Sequence, residues 1–158
     1  MAERIVICGA GIIGAAIAEA LARRGAKAMI VERVEPAAAA SGRAGGFLAL
    51  DWNDGGPVDA LARASFAMYA ELAERFGAET IGYRPIETLM VAAADEPTMG
   101  RFAKMPSPEW LDGNVAAHSV IGTTETTAQI DPDRLTRALV NAAVDAGATL
   151  RIGTVTGL

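Results

Sequence analysis

Residues Ile5–Glu32 read IVICGAGIIGAAIAEALARRGAKAMIVE, and this stretch decides the fold. IVIC (Ile5–Cys8) is a short continuous apolar run, the pattern of a strand buried on both faces. GAGIIG follows, with glycines at Gly9, Gly11 and Gly14. A helix begins at once: IIGAAIAEALARR sets Ile13, Ile17 and Leu21 on one face, and Gly25 is a stop signal. A second strand, AMIVE, ends on an acid at Glu32.

Strand, glycine turn, helix, strand and acid form a GxGxxG βαβ unit, which predicts an α/β fold with a Rossmann-like FAD/NAD(P)-binding domain. The first glycine permits the tight turn, and the second lets backbone approach a pyrophosphate with no side chain between. The third allows helix and strand to pack closely. Phosphates are favoured at the helix N-terminus, where N–H groups are unpaired and the dipole is positive. The expected contacts there are Gly9, Gly11, Ile12, Ile13 and Gly14. Glu32 lies 18 residues beyond Gly14, where a carboxylate accepts hydrogen bonds from an adenosine ribose and disfavours a 2′-phosphate. A structural βαβ unit with a vacant site is the bland alternative. Cys8 reads as a small buried hydrophobe of the first strand.

Bulk composition narrows the function classes. Apolar residues make up 51% and charged residues 21% of 158, a globular balance and not a disordered one. The net charge is −5 and no Lys/Arg cluster occurs, so no nucleic-acid partner is expected. One cysteine (Cys8) and one histidine (His118) give no disulfide framework and make metal catalysis a poor reading. The strand begins almost at Met1, leaving no space for a leader, and no window reaches a membrane span. A cytoplasmic protein with no membrane partner is the expectation.

After Glu32 an ordinary nicotinamide enzyme continues into another crossover helix. Here RVEPAAAA (Arg33–Ala40) leads instead into SGRAGGFLALDW (Ser41–Trp52), a small, flexible and then apolar stretch. IVICGAGIIGAAIAEALARRGAKAMIVER together with AASGRAGGFLALDW resembles the N-terminus of FAD-dependent oxidoreductases of the D-amino-acid oxidase and glycine oxidase (DAO) family. It is most similar to a subgroup sharing ASG(K/R)AGGFLALDW. AQIDPDRLTRALVNAAVDAGATLRIGTVTGL (Ala128–Leu158) resembles the segment that leads back into that family's FAD domain. The resemblance implies FAD as cofactor. It implies that Ser41 and Gly42 meet phosphate or the ribityl chain, and that Ala44, Gly45 and Gly46 bring bare backbone to the flavin ring. Phe47 and Leu48 then shield the ring, Arg33 lies near the adenine, and Arg43 either neutralises phosphate or faces solvent. A solvated hinge is the alternative for this loop.

The remaining chain says less. GPVDALARASFAMYAELAERFG reads as an amphipathic helix with Pro57 at its first position and Val58, Leu61, Ser65, Tyr69, Leu72 and Phe76 at helical spacing. Tyr69 reads as a packed core tyrosine rather than a catalytic acid. RPIETLMVAAA reads as a strand of a substrate-facing sheet, and Asp95–Thr127 carries few signals. His118 is a surface or structural histidine before it is a substrate-site base. IDPDRLTRALVNAAVDAG places Asp131 as N-cap, Pro132 at the first helical position and Leu135, Leu139, Ala143 and Val144 inward. ATLRIG and TVTGL read as short strands. Three segments result: 1–54 as the FAD-binding βαβ unit and flavin loop, 55–128 as part of an α+β substrate domain, and 129–158 returning to the FAD-binding domain.

The family's members are longer, so the resemblance implies an incomplete fold, with self-association through unfinished sheet edges. The leading functional expectation is an FAD-dependent oxidoreductase that oxidises a C–N bond of a small-molecule amine or amino acid by hydride transfer to flavin. No catalytic acid or base is assignable. An NAD-dependent Rossmann dehydrogenase and a non-catalytic dinucleotide-binding or interaction module are the alternatives. Neither histidine nor cysteine lies near the loop glycines, so covalent flavin attachment is not expected in this region.

Overall fold

Strand β1 (Ile5–Cys8), helix α1 (Ile12–Arg23) and strand β2 (Ala28–Glu32) form the expected parallel βαβ unit, with Ile5 opposite Ala28 and Cys8 opposite Val31. The computed structural model of the chain describes residues 5–93, 101 and 105–157. These divide into two units. The first comprises residues 5–46, 68–83 and 130–157, the second residues 47–67, 84–93 and 105–129 together with residue 101.

In the first unit a parallel sheet has the order β1-β2-β8, where β8 (Thr149–Ile152) pairs with β2 from Met29↔Thr149 to Glu32↔Ile152. Helix α5 (Pro132–Asp145) packs against α1. Asp131 caps α5 as its pattern predicts: the side chain accepts the Arg134 N–H at 3.1 Å and Pro132 opens the helix. Leu135, Leu139 and Ala143 are buried as expected, whereas Val144 is exposed. Single turns α2 (Ala40–Arg43) and α4 (Ala78–Ile81) complete this unit with the end of α3 (Asp59–Phe76).

Three expectations fail here for one reason: pattern marks apolar residues but not the face that finds a partner. Among the described residues β1 is an edge strand, with Val6 51% exposed and Cys8 exposed, so neither double-sided burial nor a buried Cys8 holds. On α1, Ile13 (75% exposed) and Ile17 (48%) face outward, and the buried face is Ala15, Ala18, Glu19 and Ala22. Small side chains allow the close helix–helix approach that α5 makes. TVTGL forms no strand over its described residues 154–157.

Glu19 is the charged member of that buried face. It pairs with Arg23 one turn along α1 at 3.1 Å and with Arg75 near the end of α3. The Arg75 guanidinium also lies 4.4 Å from the centroid of the Phe76 ring.

The second unit holds two antiparallel sheets. One has the order β3-β7-β4, from β3 (Phe47–Ala49), β7 (Thr127–Gln129) and β4 (Arg84–Pro85). The other pairs β5 (Thr88–Ala93) with β6 (Val115–Gly122) through two irregularities of register. RPIETLMVAAA is thus two strands over its described part, and β6 lies in a segment where the sequence carries few signals. Helix α3 begins at Asp59, not at Pro57, and exposes Leu61. Among the described residues no helix is long and apolar enough to cross a membrane.

Candidate dinucleotide site

The chain leaves β1 at Gly9, which turns with φ +105°, a backbone that side-chain-bearing residues rarely adopt. The Gly9 N–H donates to the Val31 carbonyl at 2.8 Å, locking the turn onto β2. Gly11 then occupies the N-cap of α1 and offers no side chain to the helix. Ser41 supplies the missing cap: its Oγ accepts the Ile12 N–H at 2.9 Å. The first intrahelical bond runs from the Ala15 N–H to the Gly11 carbonyl at 2.9 Å, so the N–H groups of Ile13 and Gly14 open the helix with no partner in its own ladder.

Packing dictates glycine at the third motif position. A Cβ on Gly14 would stand 2.1 Å from the Gly9 carbonyl oxygen and 3.1 Å from Ile7 Cγ2. At Gly11 it would stand 2.9 Å from Ser41 Oγ. The close helix–strand packing expected of Gly14 is therefore present in this chain.

Glu32 closes the other side. Its Oε2 accepts the Ala10 N–H at 2.8 Å and its Oε1 accepts the Val34 N–H at 3.0 Å. These two bonds, the Ala10 one foremost, hold its carboxyl below the usual glutamate range. The carboxylate thus carries its charge at neutral pH and keeps lone pairs for further donors. The motif itself announces Glu32 only as a ligand contact and does not signal its tie to Ala10. Geometry accounts for it: the residue between the first two glycines directly follows β1, the strand paired with β2.

The loop after β2 is not all loop. Ser41 and Gly42 belong to the single turn α2, which brings Ser41 to the start of α1. A Cβ on Gly42 would meet the Ala37 carbonyl oxygen at 2.2 Å, and one on Gly46 (φ +69°) the Ile130 carbonyl oxygen at 2.0 Å. Gly45 differs: a Cβ there would meet nothing within 4 Å. Arg33, Arg43 and Ala44 are exposed, as is Gly45. Gly9, Gly11, Ile12, Ile13, Gly14, Glu32 and Ser41 are thus gathered at the carboxyl ends of β1 and β2, the usual ligand end of such sheets. Phe47, the first residue of β3, begins the second unit and pairs with Gln129 of β7, and its ring lies 4.9 Å from that of Trp52.

The two residues weighed as catalytic candidates lie on α3 and β6. Tyr69 is half-buried, and burial pushes its phenol up. His118 sits half-buried on β6 with Nδ1 3.4 Å from Ser119 Oγ. Among the described residues no group of His, Cys, Asp or Glu is arranged to hold a metal ion.

Comparison with known proteins places this geometry. Glycine oxidase of Pseudomonas aeruginosa is 39% identical over 82 residues, 51% of this chain and 22% of that protein. A Schizosaccharomyces pombe protein named as an oxidoreductase is 28% identical over 146 residues, 87% of this chain and 37% of its own length. The crystal structure of glycine oxidase from Bacillus cereus superposes with a TM-score of 0.73 at 25% identity, covering 94% of this chain and 46% of that one. The chain spans less than half the length of these relatives. The family model described as FAD dependent oxidoreductase matches residues 4–158, from the first strand through the glycine turn, α1 and α5 to β8, and the chain belongs to that family.

Proposed function

We propose that these residues form the flavin-nucleotide-holding part of an oxidoreductase that oxidises a C–N bond of a small amine or amino acid. The observation that carries the reading is the convergence of the α1 N-terminus, Ser41 and Glu32 at one end of β1 and β2, in a chain of an FAD dependent family. The glycine oxidases among its relatives direct the substrate class.

The residues present fit FAD. The Ile13 and Gly14 N–H groups and the α1 dipole favour a pyrophosphate, with Gly11 leaving the approach free of a side chain. The Ser41 hydroxyl, whose oxygen is engaged by Ile12, keeps its proton to donate to an oxygen of the phosphate or ribityl chain. The Glu32 carboxylate accepts from ribose hydroxyls and opposes a 2′-phosphate by charge. Arg33 lies next in the chain on the adenine side, and Arg43 is free to face phosphate or solvent. Gly42 and Gly46 hold the loop against the fold, while Ala44 and Gly45 present open backbone for a flat ring, with Phe47 following. When bound, the flavin supplies the two-electron acceptor. Oxidation of a deprotonated amine needs chiefly positioning, so the reading assigns no catalytic acid or base.

The test is the visible absorbance of the purified chain, before and after added FAD, then denaturation to identify released cofactor and titration with amines. Released FAD, with a spectrum bleached by amines in the full-length protein, is the expected result. Failure to take up FAD, or release of a nicotinamide nucleotide, overturns the reading.

A further inference from the structure

One side of the β1 backbone is unpaired among the described residues, since the strand pairs with β2 and with no other. The ladder fixes which groups lie on that side. The Gly9 N–H donates to the Val31 carbonyl, so by alternation the peptide groups of Ile5, Ile7 and Gly9 point toward β2. The N–H and C=O of Val6 and Cys8 therefore point outward. IVIC carries none of the devices that blunt an edge strand: it has no charge, no proline and no break in register.

The side chains beside this edge are apolar and uncovered on both faces of the sheet. Ile7 Cγ2 lies 3.1 Å from where a Cβ on Gly14 would stand, which puts Ile7 on the α1 face. Val6, 51% exposed, and the exposed Cys8 share the other face. On α1, the buried residues Ala15, Ala18, Glu19 and Ala22 turn toward α5, which lies on the β8 side. Helical spacing turns Ile13 and Ile17 the opposite way, out over the β1 edge, where they are 75% and 48% exposed.

The edge is complementary to itself. In antiparallel register with Ile7 opposite Ile7 of a second copy, Val6 of each copy faces Cys8 of the other, and each such pair exchanges both N–H···O bonds. Paired strands lie about 4.8 Å apart and α1 rides over β1 and β2. A two-fold axis through the Ile7 pair therefore sets two α1 helices about 10 Å apart on one face, the distance at which helices pack, with Ile13 and Ile17 between them. We propose that two copies of this chain join edge to edge through β1, continuing the sheet from one copy into the next and burying Ile13 and Ile17 in an α1–α1 seam. This gives the sheet-edge association expected from the sequence one strand and one register. The contact is small and belongs with weak, concentration-dependent associations. It lies wholly within the first unit and rests on no part of the flavin reading.

Sedimentation velocity over a wide concentration range should show monomer and dimer and no larger species, because a two-fold contact closes on itself. Val6→Pro removes an outward N–H and leaves the bonds to β2 in place, and should weaken the dimer at least tenfold in a chain with native circular dichroism. Ile17→Lys sets like charges across the α1 seam and should do the same, which keeps the test decisive if Val6→Pro does not fold. Val6→Cys reads the register. Its thiol faces Cys8 of the second copy with Cα atoms about 5.5 Å apart, within disulfide reach, whereas in the wild type the two Cys8 residues are offset by two positions and lie beyond it. Oxidised glutathione, which is reduced as each disulfide forms, should therefore give covalent dimer from Val6→Cys and little from the wild type. A monomer at every concentration, open-ended larger species, a dimer unchanged in both variants, or no covalent dimer from Val6→Cys overturns the proposal. None of these measurements uses FAD, so they stand apart from the flavin test.

Discussion

Replacing Gly14 by alanine puts the packing reading of the third motif glycine to a quantitative test. The added Cβ would stand 2.1 Å from the Gly9 carbonyl oxygen, and an ordinary contact begins near 3.4 Å, so roughly 1.3 Å of movement is required. The obstacle is backbone, held in turn by the Gly9 N–H bond to Val31, so it cannot swing aside as a side chain would. Overpacking of this kind costs about 1–3 kcal/mol, and a backbone obstacle puts it near the upper end, about 3. Helix propensity opposes this, favouring alanine in α1 by about 1 kcal/mol. The clash wins by about 2 kcal/mol, which for a chain of this size lowers Tm by roughly 4–8 °C. The control is Gly45→Ala, where no atom lies within 4 Å of the added Cβ and stability should hold or rise, by no more than about 1 kcal/mol. Thermal unfolding followed by circular dichroism at 222 nm compares the two. A Gly14→Ala chain melting within about 1 °C of wild type, or no lower than Gly45→Ala, refutes the packing argument.

Three further outcomes are expected. Ser41→Ala strips the acceptor from the Ile12 N–H and should cost about 1 kcal/mol in urea unfolding, with FAD affinity falling further and Ser41→Thr restoring part of both. Glu32 has a depressed folded-state pKa, so the stability it contributes is full above the ordinary glutamate range and is lost as pH falls through the folded value. Urea midpoints of wild type and Glu32→Gln should therefore converge below about pH 4, and a gap constant from pH 7 to 3 would show that the bonds from Ala10 and Val34 do not favour the charged form. Glu19→Gln removes the buried charge of a pair whose other member, Arg75, is 35% exposed, at a cost of about 1–2 kcal/mol by thermal unfolding; a change below about 0.5 kcal/mol would mean that water already serves the guanidinium.

The βαβ unit is legible because its information is local: strand, turn, helix and acid sit in 28 consecutive residues, and each glycine has a steric task within that span. The α5 start is legible for the same reason, since Asp131 and Pro132 act on their immediate neighbours. What escapes the sequence is set by partners distant along the chain. Strand β6 reads VAAHSVIG, with little alternation of its own, and is defined by pairing with β5 more than twenty residues earlier. The exposure of Ile13, Ile17 and Val6 escapes for the converse reason, because apolar periodicity announces a face but not whether anything covers it. In the site, the residue types and the order of the loop are legible. The Ser41 cap on Ile12 and the Ala10 bond to Glu32 are not, because each joins groups more than twenty residues apart through one backbone N–H.

The loop glycines separate folding from binding. Gly42 and Gly46 are required by the chain itself, since any Cβ would strike a carbonyl oxygen, and a protein that held no ligand would still need them. Gly45 has no such requirement. It is exposed, faces open space and gives the unfolded chain freedom that alanine would remove, a loss of about 0.4–1 kcal/mol of stability relative to alanine where the backbone accepts either. Folding therefore gives no reason for glycine at this position, while a flat ring resting on bare backbone does. Gly45→Ala thus becomes the informative substitution for the site: stability held or raised, with flavin affinity lowered, separates a loop shaped for a ligand from one shaped for the fold. Stability and flavin affinity rising together would remove the argument for Gly45, leaving the α1 N-terminus, Ser41 and Glu32 to carry the site.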